Sequence, residues 1–213
     1  MKKIIIVGTS GHAAELWEYI QYHNHHKPQS AIEIIGFIDE QDETYRHYRY
    51  PEPFLGPITG HQVRKDVEYL MGIANLKYRR FVIEDLKKDG AIFTGFIHPT
   101  ALIATTAKIG EGVVISHNAS VGPMAQIGNF CILNSRCTIG HDSKLGDFNF
   151  ISPQVAISGN TIIGEENLLG TNSATIPSIT IGDRNKIGAG AMVIKDVPSD
   201  VTVVGNAARI LEK

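Results

Sequence analysis

The chain has few cysteines, a single tryptophan, no long apolar run and no excess of either charge. Two cysteines in 213 residues cannot staple a disulfide scaffold, and they fit a compartment that keeps thiols reduced. Stretches such as Ile4-Ile5-Ile6-Val7 stop at Gly8, well short of the roughly 18 residues of a spanning helix and too early for a secretory leader. With 20 basic residues against 22 acidic ones, neither nucleic acid nor membrane insertion is expected, and a charged ligand must be met locally. A hydrophobic content of 43% excludes disorder. The expected class is a folded, cytoplasmic protein of one large domain or two small ones.

The most informative shortage is regional. Of sixteen aromatic residues, thirteen lie in residues 1–96, and only Phe130, Phe148 and Phe150 follow. The architecture therefore changes near Ile97, with one domain over 1–95 and another over 96–213. Isoleucine outnumbers leucine 29 to 11, which favours β structure because branching at Cβ suits a pleated surface.

From Ile97 to Val193, every sixth residue is aliphatic except Thr175, sixteen positions of seventeen, with no change of phase. Neither the helical nor the strand period produces this pattern, whereas a repeat does. Each hexapeptide reads as a short strand and a corner, and three make a triangular coil of eighteen residues with the aliphatic side chain on the axis. The fit predicts about five coils of parallel β-helix. Nine of the residues after these positions are Gly, including Gly122, Gly140 and Gly170, as expected where φ is positive or another backbone passes close by. Cys131 and Cys137 fall on successive faces and point in different directions, so a structural role is expected and a disulfide is not.

The N-terminal part reads as a small Rossmann-like α/β unit. A buried strand over Lys3–Val7 runs into Gly8-Thr9-Ser10-Gly11-His12 and a helix over Ala13–Tyr22, which would set backbone N–H groups where a phosphate can sit. A second strand, Glu33–Ile38, ends at Asp39-Glu40, acceptors suited to ribose or base groups. The G-x-x-G-H turn departs from the dinucleotide fingerprint, which disfavours NAD(P). The His23, His25, His26 cluster reads as a solvated helix end or loop.

Gly8-Thr9-Ser10-Gly11-His12, Gly36-Phe37-Ile38-Asp39-Glu40, Ile97-His98-Pro99-Thr100-Ala101, Ile187-Gly188-Ala189-Gly190-Ala191 and Val204-Gly205-Asn206-Ala207-Ala208-Arg209 together resemble the hexapeptide-repeat sugar acetyltransferases. That family includes sialic acid O-acetyltransferases and UDP-N-acetylbacillosamine-type N-acetyltransferases. The resemblance implies a left-handed β-helix, a homotrimer with its active site between subunits, a nucleotide sugar held by the N-terminal unit, and acetyl-CoA as co-substrate with no metal. It makes Ser10, Gly11, His12, Asp39, Glu40 and Ile73 the expected nucleotide-sugar contacts. Phe150, Gly159, Thr171 and Ala189 are the expected cofactor contacts, with Phe150 standing where relatives often carry a second His.

Acetyl transfer requires a base and an oxyanion donor. His141, followed by Asp142, supplies a base with a carboxylate partner and matches the family's His-acid pair. One coil on, 141 becomes 159, so Gly159 should lie beside the imidazole and offer its N–H to the thioester oxygen. Pro177 and Lys195 continue that corner as a track for CoA. Asn134 is expected to touch the sugar, His98 to be structural, and His117 to lie on another face. The expected reaction is acetylation of the 4-amino group of UDP-4-amino-4,6-dideoxy-N-acetylglucosamine. Alternatives are a GDP- or dTDP-amino sugar, O-acetylation of a sugar such as sialic acid, a zinc hydratase on the same β-helix, or a non-catalytic nucleotide-sugar sensor.

Overall fold

The computed structural model describes residues 1–211, which form two compact units meeting between Gly95 and Phe96. In the first, a parallel sheet in the order β2-β1-β3-β4 is built from β1 (Lys2–Val7), β2 (Ile32–Ile38), β3 (Glu68–Met71) and β4 (Phe93–Thr94). Ile4 to Val7 of the central strand are at most 1% exposed, which explains a continuous apolar run where an alternating one would serve a half-covered sheet.

The helices are α1 (Gly11–His26), α2 (Glu43–Tyr48) and α3 (Leu76–Lys88). Helix α1 runs four residues beyond the Ala13–Tyr22 expectation and takes the histidine cluster into its last turn, where His26 stacks on Tyr22 at 3.9 Å. There His26 Nδ1 lies 2.8 Å from the Tyr22 carbonyl, one of the acceptors near the helix end. Helix α3 is capped by Asn75, whose Oδ1 accepts the Tyr78 N–H at 3.1 Å. No helix among the described residues is long and apolar enough to cross a membrane.

From Phe96 the chain is a β-solenoid of about six turns, one more than the repeat count suggested. Its two-residue strands pair in parallel at a spacing of eighteen residues, as in Ile115, Leu133, Ile151, Leu169 and Ile187, which stack in one register. All five are at most 1% exposed. The last step is sixteen residues, Ile187 to Val203, and an antiparallel pair with Arg209–Ile210 closes the final coil.

The structure separates the two reasons offered for glycine at the corners. The left-handed residue of each hexapeptide comes two positions later and is mostly not glycine: Asn118, Met124, Phe130, Arg136 and Asp142 begin a series that continues every six residues to Arg184. Their backbone N–H groups tie the coil to its predecessor, as Asp142 N–H does to Pro123 O at 2.9 Å, which offsets the cost of the strained φ. The corner glycines instead permit close approach. A Cβ on Gly140 would lie 2.6 Å from the Ser158 carbonyl carbon.

Both cysteines are free and fully buried within the solenoid. Burial pushes the Cys137 thiol up to about 12. Neither thiol should therefore react with iodoacetamide at pH 8 in the native protein, while both should react after denaturation; native labelling monitored by mass spectrometry checks this. Between pH 9, the ordinary thiol value, and 12, the unfolded chain ionises at Cys137 while the native one does not, so alkali favours unfolding.

Candidate functional site

The sharpest constellation is on one corner of the solenoid. His141 Nδ1 lies 2.7 Å from Asp142 Oδ2, and the two side chains are 61% and 52% exposed. Asp142 owes its position to its left-handed backbone, φ 58°, a conformation aspartate tolerates better than most residues. An ionised carboxylate only accepts, so Nδ1 carries the proton and donates, leaving the Nε2 lone pair free. That nitrogen sits above Gly159, where an ideal Cβ would come within 2.6 Å of it. The Gly159 N–H donates to no group among the described residues.

The free N–H has a local cause. At the same hexapeptide position on another corner, the N–H groups of Glu111, Asn129 and Glu165 are capped by the residue one coil later: Asn129, Asp147 and Asp183, at 2.9, 2.7 and 2.9 Å. One coil after Gly159 is Pro177, which has no acceptor side chain. A base nitrogen thus lies over the residue that carries an unsatisfied donor. Such a pair can take a proton from a nucleophile and stabilise the oxyanion of an acyl group.

The other expected cofactor residues lie elsewhere on the chain. Thr171 and Ala189 are one coil apart, but on a different corner from His141 and Gly159, so a single chain does not gather all four. Phe150 is half-buried on a flat face, in register with Ile132 and Leu168. Asn134 is placed differently from the other site residues. It is buried, and its carboxamide nitrogen donates to Ile151 O at 3.0 Å. His98 is buried, with Nδ1 2.9 Å from Thr100 Oγ1, and its ring centroid is 5.9 Å from that of His117. Among the described residues, no group of three or more His, Cys, Asp or Glu is arranged to hold a metal ion.

In the N-terminal unit, Gly8 turns the chain with φ +101°, and a Cβ there would meet Ile73 Cγ1 at 2.8 Å. Ile73 is buried against this turn, so it shapes the turn and offers little surface to a ligand. Asp39 Oδ2 accepts the Thr9 N–H and hydroxyl, both at 2.8 Å, while Oδ1 accepts the Glu40 N–H at 2.8 Å. Glu40 Oε1 accepts the N–H and hydroxyl of Thr59 at 3.1 and 2.9 Å. These two acidic residues brace the turn through contacts that sequence reasoning had assigned to a ligand.

Sequence reasoning also missed Tyr50, whose hydroxyl donates to Thr9 O at 2.9 Å. Burial, then Tyr48 and Asp39, raise that hydroxyl well above the usual tyrosine range and keep it a donor. Ser10 and Gly11 remain exposed at the start of α1, whose first turn has no acidic side chain. The helix dipole is therefore open to an anion there. His12 is 7% exposed, its Nδ1 is 3.4 Å from Glu15 Oε2, and its buried Nε2 has no hydrogen-bond partner among the described residues.

A parallel α/β unit with a free helix N-terminus, joined to a hexapeptide solenoid bearing a His–Asp pair over a glycine, defines a two-domain hexapeptide-repeat protein. Residues 3–86 match the PglD N-terminal domain family. The acetyltransferase domain of PglB from Neisseria gonorrhoeae is 28% identical, with a TM-score of 0.85 over 99% of this chain and 100% of that one; its complex with acetyl coenzyme A superposes with a TM-score of 0.84. PerB from Caulobacter crescentus, in complex with CoA and GDP-perosamine, shares the fold at 23% identity, with a TM-score of 0.82 over 100% of this chain and 98% of that one. UDP-N-acetylbacillosamine N-acetyltransferase of Bacillus subtilis is 32% identical over 119 residues, 54% of this chain. The match spans 51% of that curated relative, about half its length. The family match thus covers the N-terminal unit, and the whole chain shares its fold with the PglB acetyltransferase domain.

Proposed function

We propose that this chain is an acetyl-CoA-dependent N-acetyltransferase acting on a nucleotide-linked amino sugar, and that UDP-4-amino-4,6-dideoxy-N-acetylglucosamine is its substrate. The observation that carries this reading is the His141 imidazole, oriented by Asp142, above a glycine whose N–H has no partner among the described residues. In this reading, the neutral sugar amine attacks the thioester carbonyl and forms the new C–N bond. His141 Nε2 takes the amine proton, Asp142 stabilises the imidazolium, and the Gly159 N–H donates to the oxyanion. The C–S bond then breaks, and the CoA sulfur leaves and takes up the proton held by the imidazolium.

The open N-terminus of α1, at Ser10, Gly11 and His12, is the proposed seat of the nucleotide phosphates. Thr171 and Ala189, on their separate corner, are proposed to contact the cofactor of a neighbouring subunit, which makes the active unit a homotrimer. The relatives' acetyl coenzyme A and CoA complexes support the cofactor assignment.

The test is CoA release from acetyl-CoA with a panel of UDP-, GDP- and dTDP-linked amino sugars and a hydroxyl sugar. Turnover of the UDP-4-amino sugar with a gain of one acetyl group is expected. Turnover of the hydroxyl sugar alone would overturn N-acetylation, and exclusive use of GDP or dTDP sugars would overturn the nucleobase assignment.

A further inference from the structure

Beneath the His141 corner, the solenoid interior carries buried hydroxyls, where another corner carries the buried Asn149, Asn167 and Asn185. Thr175, the one non-aliphatic residue on the axial register, is 4% exposed. Its Oγ1 accepts the Ser158 N–H at 3.0 Å, and its carbonyl accepts the Ser158 hydroxyl at 2.6 Å. The Ser158 carbonyl in turn accepts two buried hydroxyls, Ser143 Oγ at 3.0 Å and Thr161 Oγ1 at 2.8 Å. Ser143 and Thr161 are both fully buried, Ser143 lies 3.5 Å from His141 O, and its Oγ also accepts the Thr161 N–H at 3.3 Å.

Burying hydroxyls in an apolar coil costs free energy unless each is bonded, and here every one is. The polar pair is local. In the same interior column, the residues one coil before Ser143 and one coil after Thr161 are Ala125 and Ile179. The acceptor these hydroxyls share belongs to the peptide unit that carries the Gly159 N–H. In a trans peptide, C=O and N–H point in opposite directions, so an inward carbonyl turns the N–H outward.

We propose that Ser143 and Thr161 are positioning residues that clamp the Ser158 carbonyl inward and thereby aim the Gly159 N–H at the acyl oxygen, with Thr175 holding the other side of Ser158. The proposal rests on the acyl-transfer reading for its catalytic consequence, while the orientation of the peptide stands apart from it. A preset donor matters because it has no reorganisation left to undergo in the transition state.

The experiment compares Thr161→Val, Ser143→Ala, the double variant and Thr161→Ser, with Ile179→Val as a core control outside the clamp. Each is measured for kcat and KM per mole of folded protein, for melting temperature, and for the amide shift and hydrogen exchange of Gly159. A fall in kcat of roughly tenfold per single variant and about a hundredfold for the double is expected, the double reaching the lower end of the range for loss of an oxyanion donor. KM for acetyl-CoA should stay near that of the native protein, Thr161→Ser should restore turnover, and the Gly159 amide should shift in the double variant.

A double variant with native kcat and an unmoved Gly159 amide would overturn the clamp while leaving the acetyltransferase reading intact. A native protein that acetylates no sugar would overturn that reading instead, and the Gly159 amide would then judge the clamp alone: unmoved overturns it, shifted supports it.

Discussion

Replacing His141 by alanine should lower kcat by roughly 10²–10⁴-fold, the range for loss of a positioned general base, with little change in the KM for acetyl-CoA. The side chain is 61% exposed and its internal hydrogen bond is to its neighbour Asp142, so the melting temperature should stay that of the native protein. Asp142→Asn should have a smaller effect of the same kind, because an amide can still engage Nδ1 but offers no charge to the imidazolium. Steady-state kinetics alongside a thermal melt checks both variants. Full turnover by His141→Ala would remove the imidazole from the mechanism.

A single methyl group on Gly159 should be almost as damaging, for a geometric reason. Its Cβ would lie 2.6, 2.8 and 3.0 Å from Nε2, Cε1 and Cδ2 of His141. All three are atoms of an exposed side chain, so the ring can swing away while the backbone stays, and the proton acceptor leaves the donor it faced. Gly159→Ala should therefore cost kcat roughly 10²–10³-fold and leave the melting temperature unchanged. Gly140→Ala provides the contrast. There the new Cβ would press on the Gly159 amide nitrogen and the Ser158 carbonyl carbon, backbone atoms that cannot move independently, so the coil itself should lose stability. Differential scanning calorimetry with an activity assay on the two variants separates the outcomes; equal melting temperatures would contradict the argument.

The proximity of residues 141 and 159 was legible in the sequence because a solenoid converts spacing into distance. Each coil uses eighteen residues, and the stacked aliphatic residues hold that register from Ile115 to Ile187. The same arithmetic separates Thr171 and Ala189 from that corner. In the N-terminal unit, the strand, Gly-rich turn and helix were legible from the buried run and the change of pattern after Gly8. The far end of α1 was not, because histidine and asparagine have no strong preference to continue or stop a helix.

What remained hidden depends on the direction in which a side chain points. Spacing along the chain gives no sign that the Asn134 amide turns in to the Ile151 carbonyl. Asp39 and Glu40 looked like ligand contacts, yet they cap Thr9 and Thr59, since a carboxylate at a strand end satisfies a nearby N–H as readily as a ribose hydroxyl. The glycines looked like turn residues, yet the left-handed positions fall two residues later.

The amino-acid sequence by itself determined the division near Ile97, the six-residue lattice and the pairing of His141 with Gly159. An inward aliphatic side chain in nearly every hexapeptide is buried when successive coils stack at a constant spacing. Only the tertiary structure decided that the Gly159 N–H is uncapped above Pro177 and that Ser158 is gripped from within by three coils. Hydrogen-bond direction depends on how adjacent coils face one another, and no spacing along the chain encodes it.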